Sequence, residues 1–234
     1  MYHEFRINFK TIIMKTINKN FKTGLLILLL IGAIITSFSQ DYNEKTHYVF
    51  GTFHTQNTTI NGLSIGAFPS SDRYVRTNGI RLELPGLGVL GFMGVGLRNT
   101  TKEDEIVNGL NISTGTLGDI KFNGLTIAGV SQSGIGIDGV AIAGLSNSID
   151  MLNGVQIAGL VNVAANTNGM QLAVSNHSLK KLSGFQLGIG NYAKNMVGLQ
   201  IGIFNRSEKT KGLQIGLWNV NEKRKLPIIN WNFK

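Results

Sequence analysis

The chain contains no cysteine, only three prolines and few charged residues. Without cysteine it can form no disulfide, no thiolate zinc site and no cysteine nucleophile, and it cannot be a lipoprotein acylated on cysteine. Charged residues make up 15% of the chain and hydrophobic residues 42%, whereas a disordered chain has the reverse balance. Any stability must therefore come from packing and backbone hydrogen bonds.

The sequence also lacks several motifs of common active sites. It has no Walker loop, no H-E-x-x-H and no calcium-binding nonapeptide repeat. His47 and His54 are a weak candidate for a metal or catalytic pair, because such a site needs further ligands. We therefore predict a protein that is not an enzyme, with no catalytic, cofactor-binding or metal-binding residue.

The first 39 residues resemble a secretory leader. Lys15, Lys19 and Lys22 precede an apolar run over 24–35, which is followed by the small and polar residues of 36–39. This order is that of a signal peptide, which predicts removal of 1–39, with Met14 as the likelier start. A membrane anchor is the alternative, but a spanning helix needs ~20 apolar residues. We expect an exported protein, at the cell surface or outer membrane, or otherwise extracellular or periplasmic.

The charge of the chain is only mildly positive once this segment is removed. The remainder carries 17 Lys and Arg against 12 Asp and Glu, a net charge of +5. The basic residues gather in C-terminal turns such as Lys180–Lys181 and Lys223–Lys225, where they are not interleaved with stacking aromatic residues. We therefore expect no nucleic-acid partner.

A glycine recurs at a nearly constant interval through the second half of the chain. The intervals are 15, 15, 15, 15, 15, 14 and 14 residues, and each glycine opens a segment such as G-L-Q-I-G-L-W-N. A fixed period of this kind is the signature of a repeat architecture. The glycines are Gly109, Gly124, Gly139, Gly154, Gly169, Gly184, Gly198 and Gly212.

Within each repeat, large apolar residues alternate with polar or small ones, which predicts a strand with one buried face. Every repeat has the same turn chemistry, so the period is one strand. This favours a β-solenoid over the antiparallel hairpins of a membrane barrel. The residues predicted to face the core are Val155, Ile157, Met170, Leu172, Phe185, Leu187, Leu199, Ile201, Leu213 and Ile215.

Five successive repeats carry glutamine at their third place. In a stack of identical coils these side chains would form an amide ladder, which we expect on the outer face. Such a ladder either stabilises the stack or presents amide groups to a cell-surface glycan or protein. The candidate interaction surface consists of Gln156, Gln171, Gln186, Gln200 and Gln214.

The sequence therefore predicts an all-β protein, a β-solenoid of about eight coils of 14 to 15 residues with an atypical N-terminal cap region and a short C-terminal cap. The repeat is degenerate over 40–107 and regular over 108–225. The final segment, 226–234, contains Pro227, which denies a backbone donor to a further strand.

The repeats at Gly198 and Gly212, with the Leu-Pro aromatic-rich tail, resemble bacterial surface repeat-containing proteins of spirochaetes and Bacteroidetes. The resemblance covers roughly 60–234 and implies a surface or envelope location, without an activity to carry over. The expected function is an exported repeat protein with a structural or adhesive role. The alternatives are an outer-membrane β-barrel or porin-like protein, and a small-molecule or glycan binder or enzyme with a site in the N-terminal region.

Overall fold

The computed structural model describes residues 45–68, 74–88 and 105–233. The expected leader over 1–39 lies outside these residues, as does most of the Gly-rich stretch that follows Leu84. The strands of the described residues are β1 (Lys45–Gly51), β2 (Thr58–Gly66), β3 (Val75–Glu83), β4 (Glu105–Ser113), β5 (Ile120–Ala128), β6 (Ser131–Ala143), β7 (Ser146–Ala158), β8 (Val161–Leu172), β9 (Ser175–Leu187), β10 (Gly190–Ile201), β11 (Phe204–Val220) and β12 (Lys225–Asn232).

These strands form one sheet in which every strand pairs with its neighbours in chain order. From β1 to β11 the pairing is parallel, and each repeat lies in register on the one before it. Each stretch of 14 or 15 residues thus makes one turn and returns to the same place, one strand further along. The predicted β-solenoid is confirmed, and successive repeats run in one direction rather than alternating as hairpins do.

The repeat glycines form a single column through the sheet. Their φ angles lie between +128° and +155°, a region that residues with a side chain rarely adopt. A Cβ atom on Gly154 would lie 2.0 Å from the carbonyl oxygen of Gly139. Both constraints require glycine, which is why the period is so strictly kept. Gly62 and Gly79 belong to the same column, so the regular stacking begins two strands earlier than Gly109.

The interior of the solenoid is filled largely by polar side chains. Counting from the repeat glycine as zero, the side chains at positions −2, +2 and +4 point inward. Position −2 supplies apolar residues such as Phe122, Ile137 and Leu152, which form a buried cluster. Position +2 supplies the five glutamines, and a further inward row consists of asparagines. That row, the asparagine column, is Asn147, Asn162, Asn176, Asn191, Asn205 and Asn219.

The two ends of the array differ from its middle. At the N-terminal end, Val49 takes the place of the repeat glycine and has a φ of 77°. At the C-terminal end, β12 turns back and pairs antiparallel with β11. Pro227 lies in β12 beside a register shift between Gly216 and Asn219, so β12 is an irregular final strand over the last coil.

Candidate functional site

The predicted glutamine surface is wrong, because its side chains lie inside the solenoid. All five glutamines are fully buried. Each Nε2 from Gln171 onward donates to Oε1 of the glutamine in the preceding coil, at 2.7–2.9 Å. These side chains bond to one another along the stack, which ends at Oε1 of Gln214, an atom without a hydrogen-bond partner among the described residues. Because they are buried, they cannot contact a partner. The buried residues are Gln156, Gln171, Gln186, Gln200 and Gln214.

The residues predicted to form the core lie on the outside. Ile157 is 36% exposed and Leu187 is 40% exposed, although both were expected to be buried. The alternation of the two sides of each strand was predicted correctly, but the buried side was predicted to be outside and the outward side to be buried. The residues that the structure places outward are Val155, Ile157, Met170, Leu172, Phe185, Leu187, Leu199, Ile201, Leu213 and Ile215.

An unbroken apolar surface results, which we call the apolar face. It comprises positions +1 and +3 of the ten coils that carry the repeat glycine, and all twenty of these residues are aliphatic, Met or Phe. In β12, Trp231 pairs with Leu213 and Ile229 with Ile215, so the last strand extends the face. Beyond the ten residues just given, the face contains Leu63, Ile65, Ile80, Leu82, Leu110, Ile112, Leu125, Ile127, Val140 and Ile142.

A shallow groove runs along the edge of the apolar face. It has a volume of about 470 Å³ and is lined by residues of three successive coils. Its large side chains include Leu172 and Val174, and its small residues are those at position +4 together with Gly159. No ionisable side chain lines it. The groove residues are Ile157, Ala158, Gly159, Leu172, Ala173, Val174, Leu187, Gly188 and Ile189.

The surface on the other side of the glycine column is polar. Positions −3 and −1 there carry amides and charges, including Lys121 and Asp138, whose Nζ and Oδ2 atoms are 3.3 Å apart. A hydrogen bond from Asn153, together with Lys121, lowers the pKa of Asp138. Lys209 and Lys211 occupy the same positions in the last coil. The outward surface on this side is therefore mainly polar, with Ile106, Met151 and Val197 as apolar exceptions.

A second concave region lies near the C-terminal end, and we call it the aromatic cleft. It has a volume of about 280 Å³, and its walls include Tyr192, Phe204 and Trp218 beside His177 and Arg206. Phe204 is stacked in register on Gly190, which has no side chain and leaves a notch between neighbouring rungs.

Polar groups at the rim of the aromatic cleft are held by hydrogen bonds. The hydroxyl of Tyr192 donates to Oε1 of Glu208 at 2.7 Å, which raises the pKa of Tyr192. The Nε2 atom of His177 lies 2.8 Å from the hydroxyl of Ser175, and burial lowers the pKa of His177. The imidazole is therefore held in its neutral form at physiological pH.

A buried ionic cluster lies inside the N-terminal coils, and sequence reasoning did not identify it. The guanidinium of Arg81 donates to Glu105 at 2.6 Å and to Glu83 at 2.9 Å. It also lies 4.1 Å from the ring centroid of Phe53. Thr116 donates to Oε2 of Glu83 at 2.6 Å, while Oε1 of Glu83 has no hydrogen-bond partner among the described residues. The signal that could have revealed it is the sequence R-L-E, which puts charges at the inward positions +2 and +4.

Burial raises the pKa of Glu83, despite the opposing effect of Arg81. The physical reason is that the charged carboxylate loses its hydration on burial, and the nearby carboxylate of Glu105 adds a smaller effect in the same direction. The cluster is fully enclosed at Arg81 and Glu83, and we assign it to the stability of the N-terminal coils. Arg81 and Glu83 occupy the inward positions +2 and +4, where the later coils have glutamine and small residues.

The weak histidine candidates have ordinary surroundings. The Nε2 atom of His54 accepts a hydrogen bond from the backbone N–H of Ala67 at 3.1 Å, and its ring lies 5.0 Å from that of Phe53. His47 lies on the terminal strand β1. Within the described ranges, no three His, Asp or Glu residues are grouped so that they could hold a metal ion.

No family model, curated protein or solved structure matches this chain. Among the residues that the structure describes, there is no helix long and apolar enough to cross a membrane.

Proposed function

We propose that the chain is an exported envelope or cell-surface repeat protein with a structural or adhesive role, without catalysis, and that it associates through its apolar face. The observation that carries this proposal is the occurrence of apolar residues at all twenty outward positions of the face. Monomeric soluble proteins rarely expose continuous apolar patches of more than a few hundred Å², and larger ones mark interaction sites.

The rigid repeat scaffold supports a structural role. Interior amide ladders and in-register backbone pairing leave little freedom for the closure or loop motion that catalysis commonly uses. A stack of coils displays the same chemistry at regular intervals, which suits an extended interface. The leader-like segment over 1–39 supports export.

Export can be tested with the full chain expressed in a bacterium that has an outer membrane. We expect the protein in the envelope or the medium, with a new N-terminus near Gln40. The variant Leu28→Arg, which places a charge within the apolar run, should retain the full-length chain in the cytosol. If the wild type and Leu28→Arg were found in the same cell fractions, both with an uncleaved N-terminus, the result would contradict export.

The role of the apolar face can be tested in the same cells. In the double variant Ile157→Lys and Leu187→Lys, two outward apolar residues become charged, and we expect loss of association with the envelope or with larger assemblies. The control is Asn153→Lys and Ser183→Lys, in the same coils but on the polar surface. If both variants remain associated to the same extent as the wild type, the apolar face is not the interaction surface.

A second candidate function is glycan binding in the aromatic cleft. Sugars present apolar C–H faces and hydroxyl groups, which suit aromatic rings beside hydrogen-bonding side chains. Trp218 and Phe204 are exposed there, next to Arg206. The chain has two tryptophans, so Trp231→Phe leaves Trp218 as the only indole reporter.

The test is titration of this single-tryptophan variant with envelope oligosaccharides. We expect a saturable change in fluorescence that is abolished by Phe204→Ala. The control Leu217→Ala, which changes a neighbouring exposed residue outside the cleft, should leave it intact. Absence of any saturable change across the oligosaccharides would remove this candidate.

A further inference from the structure

The apolar face has no charge to desolvate and no polar group to satisfy. Its twenty side chains contain no hydrogen-bonding atom, so contact with a second apolar surface leaves nothing unpaired. Ten coils at a strand spacing of ~4.8 Å give a length of about 45 Å, and the three positions from +1 to +3 at ~3.3 Å give a width of about 10 Å. The face therefore covers roughly 450 Å² in projection, and β12 and the groove beside it add apolar area toward the ~800 Å² that each partner contributes to a standard stable interface.

The relief of the face has the same period throughout. Rows of large side chains at positions +1 and +3 run along the array, and the groove over Ala158, Ala173 and Gly188 runs beside them. Within each row, the side chains repeat at the strand spacing of the parallel sheet. A second copy of this chain carries rows and grooves of the same spacing, so side chains can interdigitate over the whole length.

A lipid surface is less well matched to this face. Surface-bound amphipathic elements place Lys and Arg along the border of their apolar side. Here the border at position −1 consists mainly of asparagine, with one acidic and one basic residue among its ten members. They are Asn61, Asn78, Asn108, Asn123, Asp138, Asn153, Asn168, Ser183, Val197 and Lys211.

We infer that the occupant of the apolar face is a second copy of this chain, stacked face to face about a twofold axis. This inference rests on the proposed function, because it names the partner of the proposed interaction surface. Two sheets pack about 10 Å apart in this way, and a twofold interface uses the same patch on both molecules. The middle of the ten coils lies between Gly139 and Gly154, so Ile142 and Ile157 lie nearest the axis.

The absence of native cysteine allows a direct test in the full chain. Ile157→Cys places one thiol on the apolar face near the axis, and Asn153→Cys places one on the polar surface of the same coil. With a short bis-maleimide we expect cross-linked dimer to form roughly a hundredfold faster from Ile157→Cys, because neighbours in a dimer have an effective concentration in the millimolar range.

A mass measurement supports the test independently of cross-linking geometry. By analytical ultracentrifugation, wild type and Asn153→Lys should have twice the chain mass. Ile157→Lys should have the mass of one chain, with an unchanged far-UV spectrum. A wild type that is monomeric at the concentrations used for cross-linking overturns the dimer.

Labelling with a water-soluble maleimide in intact cells distinguishes failure of the dimer from failure of the proposed function. If Ile157→Cys is protected but forms no dimer, the dimer is wrong and the face is covered by lipid or by another protein, which leaves the proposed function standing. If Ile157→Cys is monomeric and labelled as fast as Asn153→Cys, the face is bare and both proposals fail.

Discussion

The repeat glycines are the residues with the least freedom to change. At Gly154 a side chain would have to adopt a φ of 135°, and its Cβ would meet the Gly139 carbonyl. At Gly190, in contrast, the nearest atom to an added Cβ is the Ser175 hydroxyl at 3.8 Å. Two glycines of the same array thus differ sharply in what they tolerate.

We therefore expect Gly154→Ala to lower the free energy of unfolding by roughly 3–5 kcal/mol, from backbone strain and overpacking together. Gly190→Ala should change it by less than about 1 kcal/mol. Urea denaturation followed by far-UV circular dichroism measures both. Similar losses at the two sites would mean that the column is not constrained by its backbone conformation.

The interior glutamines hold the coils together through their side chains. Nε2 of Gln186 donates to Gln171 and to the Tyr192 carbonyl, and its Oε1 accepts from Gln200. Removal of this amide takes one hydrogen bond from each of these three groups and leaves a cavity, although Ser178 still donates to Gln171 and Gln200 still donates to the Arg206 carbonyl. Because each hydrogen bond contributes ~0.5–1.5 kcal/mol and the cavity adds to the loss, Gln186→Ala should lower the free energy of unfolding by about 3–5 kcal/mol.

The matched control is the next residue, Leu187, which points outward. Leu187→Ala should lower the free energy of unfolding by only about 1 kcal/mol, because this side chain is already 40% exposed in a single chain. The comparison is made at a concentration where the protein is monomeric. A larger loss from Leu187→Ala than from Gln186→Ala would contradict the assignment of inside and outside.

At the scale of single strands, β3 and β4 are joined by the buried cluster of Arg81, Glu83 and Glu105. Burial raises the pKa of Glu83 in the folded chain above that of the unfolded chain. Between these two values the folded state binds more protons than the unfolded state. Stability from this group is therefore present at low pH and is lost as the pH rises from about 4 through the folded-state pKa.

Glu83→Gln should remove this contribution while it keeps an oxygen for Arg81 and Thr116. We expect the free energy of unfolding of wild type, relative to the variant, to fall as the pH rises above about 4. Denaturation at a series of pH values checks this. A wild-type advantage that grows with pH would show that Arg81 outweighs burial and that the pKa is lowered.

The comparison of sequence with structure is clearest for the strands of the regular repeats. The period of the repeat glycines predicted the solenoid, because every repeat has the same turn and the period is therefore one strand. Alternation alone does not say which side is inside. The sequence contained the missing signal, since the glutamines share their side of the strand with the small residues Ala158, Ala173 and Gly188, and a narrow interior has room only for small neighbours beside an amide ladder.

The ionic cluster could not be predicted in the same way. Arg81 lies 24 residues from Glu105, and the connection between their strands is longer than one repeat. Only the register of β3 on β4, set by Gly79 and Gly109, brings the two side chains together. In the sequence, Glu105 ends the charged run 102–105, yet its side chain is only 5% exposed.

At the scale of the whole molecule, each coil contacts mainly the coils before and after it. Stability should then be nearly the sum of coil and interface contributions. A duplicate of residues 184–197 inserted after Val197 contains one glutamine and one asparagine for the two inner ladders. We expect this variant to fold, with a denaturant m-value larger by roughly a tenth, because one coil is added to ten. A second, earlier transition would show that the new coil is not incorporated.

The two inner ladders point in opposite directions. Each glutamine amide donates toward the N-terminal coils. Each asparagine amide of the asparagine column donates toward β12. Every amide is a dipole, and the two rows therefore cancel, unlike the aligned peptide groups of a helix, whose dipoles add to partial charges at its ends. The two inner rows can thus lengthen coil by coil without together accumulating a field along the axis.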